Sequence, residues 1–238
     1  MDYHILELKL DSIQTILPLP KGIAFKELNA IPSWPLAESC LLNLQPWTHI
    51  SLNEGSFLKA YGTYEFFERG PPSLVHSIAR AFFLTYSDKV DTGWKSINSC
   101  RSFTYTGIFP FSNHARFHHI IPYLEELDVQ FAPDPQSGIL DDKKRTGKAE
   151  LQDCWQELVS AYHDIAMTIG TARMSSNRFP KLKKFVCRDM RIAALQEDLD
   201  EIFTPLCLPV WAEYEAGVFT RIAMSPMRNS EEEEDMGF

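Results

Sequence analysis

Two stretches of this chain repeat each other without a gap, and this constrains the fold more than any other feature. Ile121-Pro122-Tyr123-Leu124-Glu125-Glu126-Leu127-Asp128-Val129 and Phe179-Pro180-Lys181-Leu182-Lys183-Lys184-Phe185-Val186-Cys187 share one pattern. Both read apolar, Pro, any residue, Leu, charged, charged, apolar, any residue, apolar. Equivalent positions lie 58 residues apart, which fits two units of ~29 residues or one unit lengthened by a loop. The core of the pattern, apolar at i, i+3 and i+5, recurs elsewhere. It appears in Ile5-Leu8-Leu10, Trp47-Ile50-Leu52, Cys100-Phe103-Tyr105, Leu124-Leu127-Val129 and Leu182-Phe185-Cys187. In a strand the i+3 and i+5 side chains share a face, so stacked copies would line up a continuous apolar layer. With 45% of residues hydrophobic the bare spacing is often met by chance. The gapless pair therefore carries the argument.

Between these segments the pattern changes period. Leu6, Leu8 and Leu10 alternate with polar neighbours, as do Phe103 and Tyr105, and both read as half-buried strands. The 17–35 stretch holds four prolines and reads as loop. Short helices are expected at 36–44 and 57–68, and another at 73–86, where Ser73 is the N-cap and Leu74, Ile78, Ala81 and Phe82 share a face. The longest helix is expected over 149–169, with Leu151, Trp155, Leu158, Tyr162, Ile165 and Ile169 as its apolar stripe. A further helix is expected over 194–203, followed by an aromatic-rich end at 211–219. Residues 132–148 carry two prolines, two glycines and many charges, and read as one long exposed loop. No linker divides the chain, so a single domain is expected over 1–222, with 223–238 a disordered acidic tail.

Composition narrows the chemistry. Sixteen Phe and five Trp argue for a packed core. A net charge of −9 weakens a nucleic-acid reading, since the basic clusters at 143–145 and 181–184 are short. No apolar run is long enough for a membrane helix, and the acidic residues in MDYHILELKLDS do not suit a secretory signal. An intracellular chain with reduced thiols is expected. Cys40, Cys100, Cys154, Cys187 and Cys207 never come closer than twenty residues, so they read as buried structural thiols rather than a zinc or redox motif.

Candidate reactive groups are scattered. His114, His118 and His119 offer at most half of a metal site. Asp134, Asp141 and Asp142 lack the pattern of a calcium loop, and Glu197, Asp198, Asp200 and Glu201 suit the polar face of a helix. There is no G-x-S-x-G, no G-x-x-x-x-G-K-[ST] and no G-x-G-x-x-G. No cofactor and no metal are expected. A small α/β hydrolase whose residues converge only in three dimensions stays open as the alternative.

The two Pro-Leu segments look like the "LPxLxxLxL" start of irregular leucine-rich repeats. Together with DDKKRTGKAELQDCWQ from 141, Phe185 to Asp189, and LCLPVWAEYEA from 206, they make residues 115–222 resemble the C-terminal region of fungal F-box proteins. The resemblance implies an α/β leucine-rich-repeat-like solenoid of short parallel strands and helices. It also implies a protein-binding role, that of the region presenting substrate to a cullin-type ubiquitin ligase. No F-box is recognisable ahead of the first strand, so contact with the ligase adaptor is expected only if such a module lies upstream. The Asn or Cys of the repeat turn is replaced by Ile13, Gly55, Ile108, Ala132 and Met190. In such a fold the side chains between the inward positions face a partner. Ser102, Thr104, Glu126, Asp128 and Lys184 are therefore the candidate binding residues, with His49, Ser51 and Val186 beside them.

Overall fold

The computed structural model describes residues 5–9, 46–71, 73–75, 78–79, 82, 99–170, 181–207 and 211–222. The expected loop at 17–35, the helix at 36–44, Cys40, Ala81 and the acidic tail lie outside the described residues. Among the described residues seven strands form one sheet: β1 (Ile5–Lys9), β2 (His49–Ser56), β3 (Ser102–Ile108), β4 (Glu126–Gln130), β5 (Lys184–Cys187), β6 (Trp211–Glu215) and β7 (Val218–Arg221). Their order is β1-β2-β3-β4-β5-β7-β6, and the first five are parallel. The architecture is α/β with a mainly parallel sheet.

The register follows the repeated pattern. Ile50, Phe103, Leu127 and Phe185 are successive partners, as are Leu52, Tyr105, Val129 and Cys187. These eight side chains are buried, and so are Trp47, Cys100, Leu124 and Leu182 three residues ahead of the first set. The first repeat is corrected by two residues. Leu6 pairs with Ile50 and Leu8 with Leu52, so Leu8 holds the i+5 position rather than i+3. A two-residue slip preserves the face, which is why alternation alone could not detect it.

Backbone hydrogen bonds repeat along with the side chains. Thr48 O accepts the amides of Arg101 (2.9 Å) and Ser102 (3.2 Å). Arg101 O accepts those of Glu125 (2.7 Å) and Glu126 (2.9 Å), and Glu125 O those of Lys183 (2.7 Å) and Lys184 (3.1 Å). One carbonyl therefore clamps the next unit at the entrance of β3, β4 and β5, satisfying the two amides at the start of each of these strands.

The last two strands depart from the expected all-parallel order. β5 pairs with β7 antiparallel, and β6 pairs with β7 antiparallel. Only Ala216 and Gly217 separate β6 from β7, and so short a link permits a hairpin alone. Gly217 has φ +76°, and a Cβ there would collide with Cys187 O.

Helices cover the buried face. The short helices α1 (Tyr64–Arg69), α2 (Ser112–Ala115) and α3 (Lys143–Thr146) precede α4 (Leu151–Gly170) and α5 (Ala193–Cys207). In the expected 57–68 helix, a 3-10 segment at Leu58–Gly62 comes before α1. Leu74, Val75, Ile78, Ala79 and Phe82 are helical, and the Val75 amide donates to Ser73 Oγ at 3.2 Å, so Ser73 does cap this stretch. In α4 the buried residues are Cys154, Leu158, Ala161, Tyr162, Ile165, Ala166 and Ile169. Leu151, at the end of the expected stripe, is exposed. Tyr162 lies 4.6 Å from Phe131 between ring centroids, and Phe203 of α5 touches Tyr162, Phe185 and Phe219. This cluster locks α4 and α5 onto β4, β5 and β7. The 132–148 segment is largely exposed but contains a 3-10 turn and α3, and Ile139 and Leu140 pack against the core.

Candidate recognition face

Alternation decides which side chains leave the core. Burial alternates along β2, β3, β4 and β5, so one face is sealed while the other holds half-buried or exposed residues. The expected binding residues all fall on that second face. His49, Ser102, Glu126, Lys184 and Thr220 form one row of lateral partners. Ser51, Thr104, Asp128, Val186 and Val218 form the next row. At ~4.8 Å between strands, each row spans roughly 19 Å. Glu126 and Lys184 are exposed, whereas Ser102, Thr104 and Asp128 are half-buried.

The rows are internally connected. His49 Nδ1 lies 2.8 Å from Ser102 Oγ. Burial pushes the His49 imidazole below its usual range, against the opposing pull of Glu126 and Asp128. Arg188, just past β5, reaches across the strand and donates through Nε and Nη2 to the two oxygens of Asp128, at 2.7 and 2.8 Å. This fork fixes the Asp128 carboxylate. At the entrance edge, Glu125 accepts from Lys183 Nζ at 2.7 Å with Arg101 Nε at 3.6 Å, and chiefly the Lys183 hydrogen bond holds its carboxyl below the usual range. The face is thus polar, charged in both signs and held in place.

Among the described residues, Ser102 beside His49 is the one nucleophile–base contact on this face. An acyl-transfer site also needs donors for an oxyanion and an acid to orient the base. The Ser102 amide is engaged with Thr48 O, and the strand amides around it belong to the ladder. Glu126 and Asp128 stand on β4, beyond Ser102 from His49. Among the described residues the contact positions two polar groups, and no acid accepts a hydrogen bond from the His49 ring.

Sequence reasoning missed the two most buried acids among the described residues. Glu54 is 0% exposed and accepts from Tyr105 Oη (2.8 Å), Ser73 Oγ (2.8 Å) and the Leu74 amide (2.5 Å). Asp189 is 1% exposed, and its Oδ2 accepts from Tyr162 Oη (2.6 Å) and the amides of Phe131 (2.7 Å) and Ala132 (2.8 Å). Burial raises both carboxyl groups above their usual range. Each follows the inward positions of its strand and receives backbone amides and a tyrosine hydroxyl. The available signal was the adjacency of Glu54 to Gly55 and of Asp189 to Met190, where a turn Asn was sought.

Other candidates have local explanations. Asp134 and Asp142 cap the turns that follow them, accepting from the amides of Gln136 (2.7 Å) and Lys144 (2.9 Å). His118 and His119 are exposed, with ring centroids 4.0 Å apart and planes tilted by 45°, whereas His114 lies against Gly70. Among the described residues, no three His, Cys, Asp or Glu side chains converge to hold a metal ion. Cys100, Cys154 and Cys187 are buried free thiols; Cys40 and the Cys207 side chain are outside the description. No described helix is long and apolar enough to cross a membrane. No protein-family model, no curated protein and no solved structure matches the chain.

Proposed function

We propose that this chain is a protein-recognition module of irregular leucine-rich-repeat type, reading its partner with the polar face of the parallel sheet. The observation that carries the reading is the pair of in-register rows from His49 to Thr220 and from Ser51 to Val218, on the face that no described helix covers. Exposed charges of both signs at Glu126 and Lys184, and the fixed Asp128–Arg188 fork, suit a complementary polar protein surface. The repeat geometry, with its i, i+3, i+5 burial and one-carbonyl clamps, supports a solenoid-like stacking of units. The resemblance of residues 115–222 to F-box proteins favours a substrate-receptor role within an intracellular ubiquitin ligase, conditional on an upstream F-box.

The test is a charge exchange on the face, Glu126→Lys with Lys184→Glu. It alters two exposed side chains, and melting should stay within a few degrees of wild type. Partner recovery should fall at least about tenfold by juxtaposed like charges. Unchanged recovery in a folded variant would remove the sheet face from consideration. Asp128→Ala is a less clean probe, because it also releases Arg188. Hydrolysis is the second reading, favoured only by the Ser102–His49 contact; labelling of Ser102 by a fluorophosphonate probe would support it.

A further inference from the structure

A second surface lies in the helical layer and shares no residue with the sheet face. The 132–141 segment, α4 and α5 enclose a cleft of about 560 Å³. Its floor is apolar, formed by Ile139, Leu140, Trp155, Leu158, Ile192 and Leu195. Its rim carries Asp134 and Asp141 on one side and Asp198 on the other, and among the described residues no Lys or Arg lines it. Past Val159 and Asp198 the depression continues between α4 and α5 toward Ile202 and Pro205, where it gains Glu201 and His163. The result is an elongated apolar trough with four carboxylates along it.

We propose that this trough docks a short segment of another protein that carries apolar anchor side chains flanked by Lys or Arg. The volume falls in the range of pockets that accommodate several apolar groups. An open trough lined by exposed Val159 and half-buried Ile139, Leu140, Trp155 and Ile192 leaves apolar surface in water that an anchor side chain would cover. The charge selects the occupant. An acidic or neutral segment would bring no counter-charge to Asp134, Asp141, Asp198 and Glu201, whereas Lys or Arg beside the anchor would pair with them at the solvent-exposed rim. A second copy of this chain is disfavoured, since each copy carries a net −9. The cationic groups of the neighbouring α3 do not neutralise the rim: Arg145 pairs with Asp142 at 3.4 Å, and Lys143 and Lys144 line neither stretch of the trough. This inference stands whether or not the sheet face binds a partner.

The test selects a display library of random short peptides against the full chain and synthesises the strongest binder as the probe. The expected motif is an aromatic or aliphatic anchor flanked by Lys or Arg. The probe should bind about three- to tenfold more weakly to the Asp141→Asn, Asp198→Asn variant and should lose affinity with added salt. Val159→Asp should block it, and the Glu126→Lys, Lys184→Glu variant should bind it like wild type. Asp141 and Asp198 are both exposed, so the neutralised chain is expected to melt with the wild type; Asp141→Asn alone serves if it does not. The proposal is overturned if no peptide is enriched, if the enriched peptides lack basic flanks, or if the neutralised rim binds them as well as wild type.

Discussion

Removal of the Asp189 carboxyl tests how the sheet and helices are joined. Asp189 Oδ2 is the common acceptor for the Phe131 amide, the Ala132 amide and Tyr162 Oη, all within 2.8 Å. Asp189→Ala leaves those three donors buried around a small void. An orphaned buried donor costs about 1–3 kcal/mol. Partial relaxation and water entry reduce the sum, so a loss of about 3–6 kcal/mol is expected, against a domain total of about 5–15 kcal/mol. Urea unfolding at neutral pH should show this as a lower midpoint with little change in slope. Amide exchange should accelerate at Phe131 and Ala132 beyond the general loss of stability. Tyr162→Phe removes one donor rather than the shared acceptor, so it should cost far less, about 1 kcal/mol. An Asp189→Ala protein within ~1 kcal/mol of wild type, with both amides still protected, would refute the reasoning.

Three further outcomes follow from the same geometry. The folded-state pKa values of Glu54 and Asp189 are raised by burial above ordinary values of 4.5 and 3.8. The folded state therefore binds protons that the unfolded chain has released, and these two groups make stability fall as pH rises from the ordinary values through the raised ones. Denaturation across that window should show a smaller decline in the Glu54→Gln, Asp189→Asn variant than in wild type; an identical decline would show that neither group is perturbed. Burial pushes the thiols of Cys100, Cys154 and Cys187 up to about 12. Mass-spectrometric alkylation at mildly alkaline pH should leave all three unmodified until the chain is unfolded, and rapid labelling of any one in the native protein would contradict its burial. Gly217→Ala should lower the melting temperature by several degrees, since the left-handed backbone alone costs roughly 1–2 kcal/mol and the new Cβ would meet Cys187 O. A melting temperature equal to wild type would show that the hairpin turn is not as described.

The repeated Pro-Leu pattern made much of the fold legible. It located β4 and β5, and its weaker copies located β2 and β3 in the observed register, because stacked inward residues need the same period. That register also determined which of Ser102, Thr104, Glu126, Asp128 and Lys184 face outward. In the first strand Leu6, Leu8 and Leu10 are equivalent by pattern, and only the lateral partners choose among them. The hairpin at 211–221 was hidden because WAEYE and VFTR carry no inward repeat pattern, although the short link through Gly217 was visible. Glu54 and Asp189 escaped notice because an isolated acid has no period. Its role depends on amides and hydroxyls brought from distant segments. The trough between α4 and α5 likewise joins three segments that nothing in their local sequence relates.

Hydrogen exchange across a purified complex addresses the sheet-face reading most directly. A partner that survives stringent purification with the wild-type chain and is lost with the Glu126→Lys, Lys184→Glu variant is the one to use. Added protection is expected over β2, β3, β4 and β5 and the Arg188 turn, with the strand centres slowed more than the helices. Protection confined to α4, α5 and the 132–148 segment, with the strands unchanged, would contradict the sheet-face account.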